Sequence, residues 1–118
     1  VIQNNTTVGD ALQLARPPEG VRRAGAILLV NTKGKLTGIF TDGDLRRLVI
    51  DDKTPMVRTI GEVATSNPRR LLASSLVRDA KQLVAEYRVD EIPIVDDNNV
   101  PIGLIDVQDL IAMKVVTE

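Results

Sequence analysis

The apolar residues of the first half of the chain change their spacing at defined points, and each spacing predicts a different element. Starting at Val8, apolar residues recur at i+3, i+4 and i+7, as on one face of a helix. Thr7 precedes this run and Asp10 lies three residues further on, which is the pattern of an N-terminal cap. An unbroken apolar run over 26–30 is typical of a strand covered on both faces. The predicted series continues with a turn over 31–34, a strand over 35–40 and a helix capped by Thr41.

The second half of the chain repeats this series. A helical stripe runs from Leu76 to Tyr87, and a short apolar strand follows over 92–95. The remaining predicted elements are a turn over 96–99, a strand over 100–105 and a last helix capped by Asp106. The pattern therefore predicts a mixed α/β (α+β) fold with two small sheets, related by a pseudo-two-fold axis.

The repetition extends to the residues themselves. Gly38–Leu45 recurs 65 positions later as Gly103–Leu110. The segment that begins at Val8 recurs 69 positions later, beginning at Val77. These spacings are too long for a solenoid repeat and indicate a tandem duplication.

The repeat suggests a division of the chain. We assign the first copy to residues 1–50, with its first strand cut short at the start of the sequence, a linker to 51–59 and the second copy to 60–118. Each copy alone lies near the lower size limit for independent folding, so we expect the two to form one compact module.

Composition and charge exclude several classes of function. The 118 residues include no His and no Cys, which excludes thiol nucleophiles, structural zinc and imidazole acid–base catalysis. With one Tyr, one Phe, no Trp and a net charge of −1, neither single-stranded nor duplex nucleic acid is an expected partner. No segment is apolar enough to cross a membrane, so we expect a cytoplasmic protein without membrane partners.

The start of the helix after Thr41 is the strongest candidate for a ligand site. A helix N-terminus offers backbone N–H groups and a positive dipole, and Thr41 adds a hydroxyl. Asp44 is a two-oxygen acceptor suited to a ribose diol. The same two residues also make a plain capping box, which a helix needs with or without a ligand.

The second copy departs from this pattern. Asp106 stands where the first copy has Thr41, and a carboxylate there would repel a phosphate. Asp109 keeps the acceptor for a diol.

The run of two Asp and two Asn over 96–99 resembles the start of a calcium loop but lacks its glycine and its terminal Glu, so we interpret it as a turn without metal.

Phosphate recognition needs positive charge, which Asp42 and Asp44 do not supply. Arginine is the residue best suited to bidentate phosphate contacts, although adjacent arginines are also common on solvated faces. The candidate phosphate contacts are Arg46 and Arg47, Arg22 and Arg23, and Arg69 and Arg70.

The repeated Gly-hydrophobic-x-Thr-x-x-Asp motif at the end of the second strand resembles the CBS domain, which occurs in tandem pairs called Bateman modules. The stretch Gly38–Arg47 is similar to the C-terminal CBS pair of arabinose 5-phosphate isomerases of the KpsF/GutQ type. In that family an N-terminal SIS (sugar isomerase) domain performs the chemistry, which supplies a precursor of a lipopolysaccharide sugar. The resemblance implies two β-α-β-β-α repeats and no catalytic residues in this chain.

The resemblance also implies roles for particular residues. Thr41 would lie near a phosphate, Asp44 would hold ribose hydroxyls, and the base would lie beside the backbone of Ala26 and Ile27. Asn67 belongs to a segment that often contacts the ligand in this family. The implied ligand is AMP, ADP, ATP or a CMP-linked sugar, with no other cofactor.

Two functions remain open from the sequence. The first is a regulatory module that senses a nucleotide or nucleotide-sugar and modulates an attached isomerase domain. The second is an interaction module without ligand, in which apolar residues of the terminal helices bury against a second copy to form a homodimer. Neither hypothesis makes this chain an enzyme by itself.

Overall fold

Two small sheets contain all the strands of the computed structural model, which describes residues 1–17, 19, 25–75 and 91–106. The elements of the first part are β1 (Ile2–Gln3), α1 (Val8–Leu14), β2 (Ala26–Val30), β3 (Leu36–Thr41), α2 (Asp42–Asp51), a 3-10 turn (Pro55–Val57), α3 (Ile60–Val63) and β4 (Thr65–Ser66). Those of the second part are β5 (Leu71–Leu72), a 3-10 turn (Ala73–Ser75), β6 (Glu91–Val95) and β7 (Pro101–Asp106). The predicted mixed α/β fold with two small sheets is confirmed.

The first sheet has the order β1-β2-β3-β4. Its first pair is parallel and the other two are antiparallel. The core beneath it is aliphatic except for one ring and consists of Ile2, Val8, Ala11, Leu29, Phe40 and Ile60. Each of β1, β2, β3, α1 and α3 therefore contributes to one apolar cluster.

Helix α1 begins as the sequence predicts. The Thr7 hydroxyl accepts a hydrogen bond from the Asp10 backbone N–H at 3.2 Å. Val8 and Ala11 are buried on the predicted apolar face, whereas Ala15 is exposed and forms the C-terminal cap just after the helix. The apolar face thus covers the first two turns only.

The second sheet, β5-β6-β7, reproduces the register of the first. Ile2 of β1 lies opposite Leu29 of β2, and Leu71 of β5 lies opposite Ile94 of β6. The equivalent partners are 69 and 65 positions apart, the same spacings as in the repeated sequence. The antiparallel pairs also share an irregularity, which falls after Leu29 in one sheet and after Ile94 in the other.

The two hairpin turns are equivalent as well. The Asn31 Oδ1 accepts hydrogen bonds from the backbone N–H groups of Lys33 and Lys35, at 2.9 and 3.1 Å. Asp96 Oδ1 accepts the corresponding bonds from Asn98 and Val100, at 2.8 and 3.0 Å. The Asp96 carboxylate therefore orders a turn, as the sequence predicts.

The last turn residue takes the same backbone conformation in both hairpins. Gly34 has a φ of 77° and Asn99 one of 64°, within the left-handed region that glycine and asparagine tolerate best. Glycine and asparagine can therefore occupy the same position of the duplicated turn, because both tolerate a positive φ.

The contacts divide the chain into the units Val1–Pro68 and Arg69–Glu118. The sequence repeat places a linker over 51–59 and begins the second copy at residue 60, yet α3 and β4 pack within the first unit. The N–H groups of Ile60 and Gly61 donate to the carbonyl oxygens of Thr6 and Asn4, at 2.8 and 3.0 Å. These bonds attach α3 to the segment between β1 and α1, and β4 joins the first sheet by pairing with β3.

The chain after α2 is held by an ion pair. Asp52 Oδ2 accepts a hydrogen bond from Arg58 Nε at 2.6 Å, and Asp52 Oδ1 accepts one from the Thr54 N–H at 2.8 Å. The hydrogen bond from Arg58 is the main reason that the pKa of the Asp52 carboxyl lies below its ordinary value. The predicted linker is therefore ordered by its own side chains.

Several predictions of the sequence fall outside the described residues. These are the helix from Leu76 to Tyr87 and the helix after Asp106.

Within the described ranges, no helix is long and apolar enough to cross a membrane. The longest of them, α2, has ten residues, whereas a span needs about 20.

Candidate functional site

The first unit contains a cavity of about 460 Å³ between the end of α1, the start of β2 and the junction of β3 with α2. This volume lies within the usual range of small-molecule sites. Most of the lining is apolar, with a few polar groups, as such sites usually are. The described lining residues are Leu12, Gln13, Ala15, Arg16, Pro17, Gly25, Ala26, Ile27, Phe40, Thr41, Asp42 and Leu45.

Three of the predicted contact residues meet in this cavity. Ala26 and Ile27 begin β2, and Thr41 ends β3. The antiparallel register brings them together, because Ala26 lies opposite Thr41 and Ile27 lies opposite Phe40. The pairing of the two strands of this hairpin thus assembles this part of the candidate site.

Thr41 makes the capping box that the sequence offered as an alternative to a ligand site. Its Oγ1 accepts a hydrogen bond from the Asp44 N–H at 3.1 Å, and Asp44 Oδ2 accepts one from the Thr41 N–H at 2.9 Å. Each of the two side chains therefore accepts a hydrogen bond from the backbone N–H of the other residue at the start of α2. Thr41 lines the cavity, and because its hydroxyl also has an O–H hydrogen, it is a candidate donor to a ligand.

Three of the backbone N–H groups that the sequence offers to a ligand at this helix start are bonded within the protein. Besides the two bonds of the capping box, the Asp42 N–H donates to the Gly25 carbonyl oxygen at 3.1 Å. The N–H groups of Thr41, Asp42 and Asp44 are therefore all bonded within the protein. The reason is tertiary, since Gly25 precedes β2 and reaches α2 only through the sheet.

Asp44 is buried, with 8% of its surface exposed, and it is not among the residues that line the cavity. Its Oδ1 accepts a hydrogen bond from Arg47 Nη2 at 2.5 Å, one turn further along α2. The carboxylate therefore has a protein partner on each oxygen. Its predicted contact with ribose remains a prediction, and it requires access through the cap.

Arg16 is the lining residue that the sequence analysis missed as a candidate. It follows the end of α1, where the sequence analysis gave it no ligand role. Its side chain is exposed, and among the described lining residues it is the single cation. Its signal in the sequence is a lone positive charge after an amphipathic helix, which is too common to identify a site.

The other candidate arginines do not join the described lining. Arg46 and Arg47 lie on α2, where Arg47 pairs with Asp44. Arg69 is exposed, and Arg70 Nη1 donates to Asn99 Oδ1 within the second unit. Arg22 and Arg23 lie outside the described residues.

Asn67 occupies a backbone bend rather than a position in the cavity lining. Its φ is 48°, in the left-handed region, and its N–H donates to the Thr37 carbonyl oxygen at 3.0 Å. Asp109, the predicted acceptor of the second copy, lies outside the described residues. Within the described ranges, no cluster of acidic side chains has the arrangement of a metal site.

Substitution of Thr41 tests the cap directly. Thr41→Ala removes the hydroxyl that accepts from Asp44, so we expect the free energy of unfolding to fall by about 0.5–2 kcal/mol. Thr59→Ala is the matched control, because Thr59 precedes α3 without a side-chain capping bond. Urea denaturation of both variants measures the difference, and equal losses would show that the Thr41 cap contributes nothing.

The two sheets, which share one strand register, and the repeated sequence define the class of this protein as a tandem α/β repeat. The profile of the CBS domain matches residues 1–51 and 60–115, and the chain belongs to the CBS domain family. The resemblance seen in the Gly-hydrophobic-x-Thr-x-x-Asp motif is thereby confirmed.

Relatives of known activity match this chain over part of their length. Arabinose 5-phosphate isomerase KdsD of Francisella tularensis is 28% identical over 96% of this chain, which covers 37% of that protein. Arabinose 5-phosphate isomerase GutQ of Salmonella typhi is 33% identical over 88% of this chain, which covers 31% of it. The chain thus spans about a third of these relatives, and the predicted similarity to a region of arabinose 5-phosphate isomerases is confirmed.

A solved structure supports the fold. The crystal structure of CBSX2 in complex with AMP superposes with a TM-score of 0.72 at 23% identity, over 97% of this chain and 88% of that one. At this identity the likeness concerns the fold alone.

Proposed function

We propose that this chain is a regulatory CBS pair whose first unit binds a nucleotide or nucleotide-sugar and modulates an attached sugar-phosphate isomerase domain. The observation that carries the proposal is the cavity of about 460 Å³ at the junction of Ala26, Ile27 and Thr41. The similarity to KdsD and GutQ supports an isomerase as the regulated domain. The AMP complex of CBSX2 supports an adenine nucleotide as a ligand to test first.

The lining suggests how such a ligand would lie. A base would pack against the apolar side chains of Leu12 and Ile27, and backbone groups at the start of β2 would form hydrogen bonds with its polar edge. The Thr41 hydroxyl and the Arg16 guanidinium would face the polar end of the ligand. The remaining predicted contacts, Asp44, Asn67, Asp109 and the arginine pairs, stay proposals for this same site.

Regulation would follow from differential binding. The cavity is bounded by the end of α1 and the start of α2, so a ligand held there ties two helices to one sheet. If the attached domain exists in two states, the ligand favours the state in which this arrangement binds it more tightly. Catalysis itself would belong to the attached domain, with an SIS fold, and this chain would carry none.

Binding is tested by isothermal titration and thermal shift of the chain with AMP, ADP, ATP, CMP, a CMP-linked sugar and arabinose 5-phosphate. A ligand at about 100 times its dissociation constant should stabilise the folded state by about 2.7 kcal/mol. Ala15→Leu places a larger side chain in the lining, and we expect it to weaken binding about tenfold or more, since it costs contacts worth about 1.4 kcal/mol.

Ala73→Leu is the matched control, because Ala73 is exposed and lies outside the cavity lining. It should leave the affinity unchanged. If none of the compounds binds, or if both leucine variants bind equally well, the cavity is not the nucleotide site.

A second candidate function is assembly without a ligand. Val49 and Ile50 at the end of α2 are 54% and 75% exposed, and a second copy of the chain could cover them as a homodimer. Analytical ultracentrifugation with and without nucleotide separates the two proposals. A dimer whose association constant is unchanged by every nucleotide would favour assembly without a ligand.

A further inference from the structure

The outer edge of the first sheet is closed by the segment that begins the second copy of the sequence repeat. β4 pairs antiparallel with β3, and Ser66 of β4 lies opposite Gly38 of β3. The Asn67 N–H extends this pairing by donating to the Thr37 carbonyl oxygen at 3.0 Å. The helix α3 lies directly before β4 in the chain. A short helix and strand from the start of one copy thus complete the sheet of the other.

A glycine lies where this strand comes closest. A Cβ at Gly38 would be 3.1 Å from the Thr65 carbonyl oxygen, which is tighter than an ordinary van der Waals contact. Gly103 of β7 is its counterpart 65 positions later, at the same point of the strand register. The described atoms nearest to a Cβ at Gly103 belong to Ile94, at 3.6 and 3.9 Å. Since glycine inside a strand often marks the close approach of another backbone, Gly103 leaves room for a strand like β4.

Among the described residues, β7 is the edge strand of the second sheet. At the repeat spacings of 69 and 65, the counterparts of α1 and α2 are 77–83 and 107–116, which lie outside the described residues. In the first unit, the outer edge of β3 pairs with β4 and with neither helix. The repeat therefore indicates that a segment like β4, and not those counterparts, pairs with the outer edge of β7.

The surface beside this edge is polar in the first unit and apolar in the second. Asn4 Nδ2 donates to Thr37 Oγ1 at 3.2 Å in the first unit. The counterparts of these two residues are Ala73 and Ile102, at spacings of 69 and 65. Ala73 is exposed, and the side chains of Leu72 and Ile102 are 44% and 58% exposed. The second unit thus exposes apolar side chains at positions where the first unit has a polar contact.

The strand pairing brings these apolar residues to one end of the second sheet. Leu72 lies opposite Val95, and Val95 lies opposite Pro101, the residue before Ile102. Exposed apolar residues that are grouped in this way mark an interaction surface more often than single ones do. We call the outer edge of β7 together with Leu72, Ala73 and Ile102 the β7 surface.

We propose that the β7 surface is the docking site of the linker that leads from the attached domain into the first copy. The linker forms a short helix and strand there, as α3 and β4 do on the first sheet. The repeat identifies this occupant, because α3 and β4 directly precede β5, and their counterparts directly precede β1. The apolar side chains of the site favour a linker with apolar residues facing them. This inference rests on the proposed function, since it needs the attached domain.

The probe is a copy of residues 60–69 fused directly before Val1, where the spacing of 69 gives it the register of the proposed linker. The control carries the same extension with Thr65→Pro and Ser66→Pro in the added copy only, because proline cannot donate the hydrogen bonds of a strand. Hydrogen exchange followed by NMR reports on the backbone N–H groups of residues 102–104. We expect exchange there to slow about tenfold or more with the first extension and to be unchanged with the proline extension.

Ile102→Thr tests the apolar part of the site, because threonine is the residue of the first copy at this position. In the extended protein, this variant should lose most of the slowed exchange at residues 102–104. Val57→Thr is the matched control, since Val57 is 70% exposed in the first unit and lies outside the β7 surface, and it should keep the slowed exchange. Without the extension, both variants should melt close to the wild type, because both change exposed residues.

The outcomes separate this inference from the proposed function, because exchange is measured without a nucleotide. Equal exchange at residues 102–104 with the two extensions would overturn the docking site and leave nucleotide binding unaffected. An extended Ile102→Thr variant that is protected as fully as Val57→Thr would overturn the role of the apolar residues. Slowed exchange in a chain that binds no nucleotide would support the docking site, while the ligand part of the proposed function would be wrong.

Discussion

Leu29→Ala is expected to lower the free energy of unfolding by about 2–5 kcal/mol, the range for truncating a leucine in a packed core. Leu29 is only 1% exposed and lies in the middle of β2, between β1 and β3. Its side chain belongs to the cluster that also contains Ile2, Phe40 and Ile60. Because five elements supply that cluster, the surrounding atoms have little freedom to close the cavity left by the lost methyl groups.

Leu14→Ala is the matched control for this experiment. Leu14 ends α1 and is 71% exposed, so the same chemical change should alter the stability by less than about 0.5 kcal/mol. Urea denaturation followed by circular dichroism measures both variants. Similar midpoints for the two would contradict the assignment of Leu29 to the core.

Gly61→Ala is expected to cost about 1–3 kcal/mol, because it inserts a methyl group where the backbone leaves no room. A Cβ at this position would lie 2.6 Å from the Asn4 carbonyl oxygen and 3.2 Å from the Asn4 Cβ. That carbonyl accepts a hydrogen bond from the Gly61 N–H at 3.0 Å, so moving the two segments apart weakens the bond. The contact is with backbone, which cannot be relieved by a side-chain rotation.

Gly43→Ala tests whether the effect comes from the close approach and not from glycine itself. The atoms nearest to a Cβ at Gly43 are side-chain atoms of Arg47 and Thr41, both at 3.6 Å, an ordinary contact distance. Since Gly43 lies in α2, alanine should be neutral or stabilise the protein by up to about 1 kcal/mol. Equal melting temperatures for the two variants would show that the backbone at Asn4 can move to accommodate the added methyl group without a loss of stability.

Much of the fold follows from local patterns. The helix after Thr7, the strand over 26–30 and the turn closed by Gly34 are all present where the spacing of apolar residues and the turn chemistry predict them. The equivalence of Asn31 and Asp96 also follows from the repeat, because both side chains order a hairpin in the same way. Such elements are predictable since each depends on residues within a few positions of one another.

The candidate site was only partly predictable. Ala26, Ile27 and Thr41, which the family resemblance implies as ligand contacts, line one cavity, whereas Arg16 was not anticipated. Their contact with a ligand stays a prediction. The capping bonds between Thr41 and Asp44 are local and were foreseen as one alternative. The bond from the Asp42 N–H to Gly25 was not, because it joins residues that only the sheet brings together.

The sequence by itself determined the duplication and the order of the elements from α1 to α2, because these depend on residue spacing that needs no knowledge of contacts. The repeated motif also carried the resemblance to the CBS family, which the family match confirms. The attachment of α3 and β4 to the first unit was decided by the tertiary structure. Ile60 and Gly61 donate hydrogen bonds to Thr6 and Asn4, and β4 pairs with β3. The positions of the charges in the described lining were decided in the same way. Arg16 and Asp42 are 26 positions apart, and they come to line one cavity because β2 and β3 bring the end of α1 and the start of α2 together.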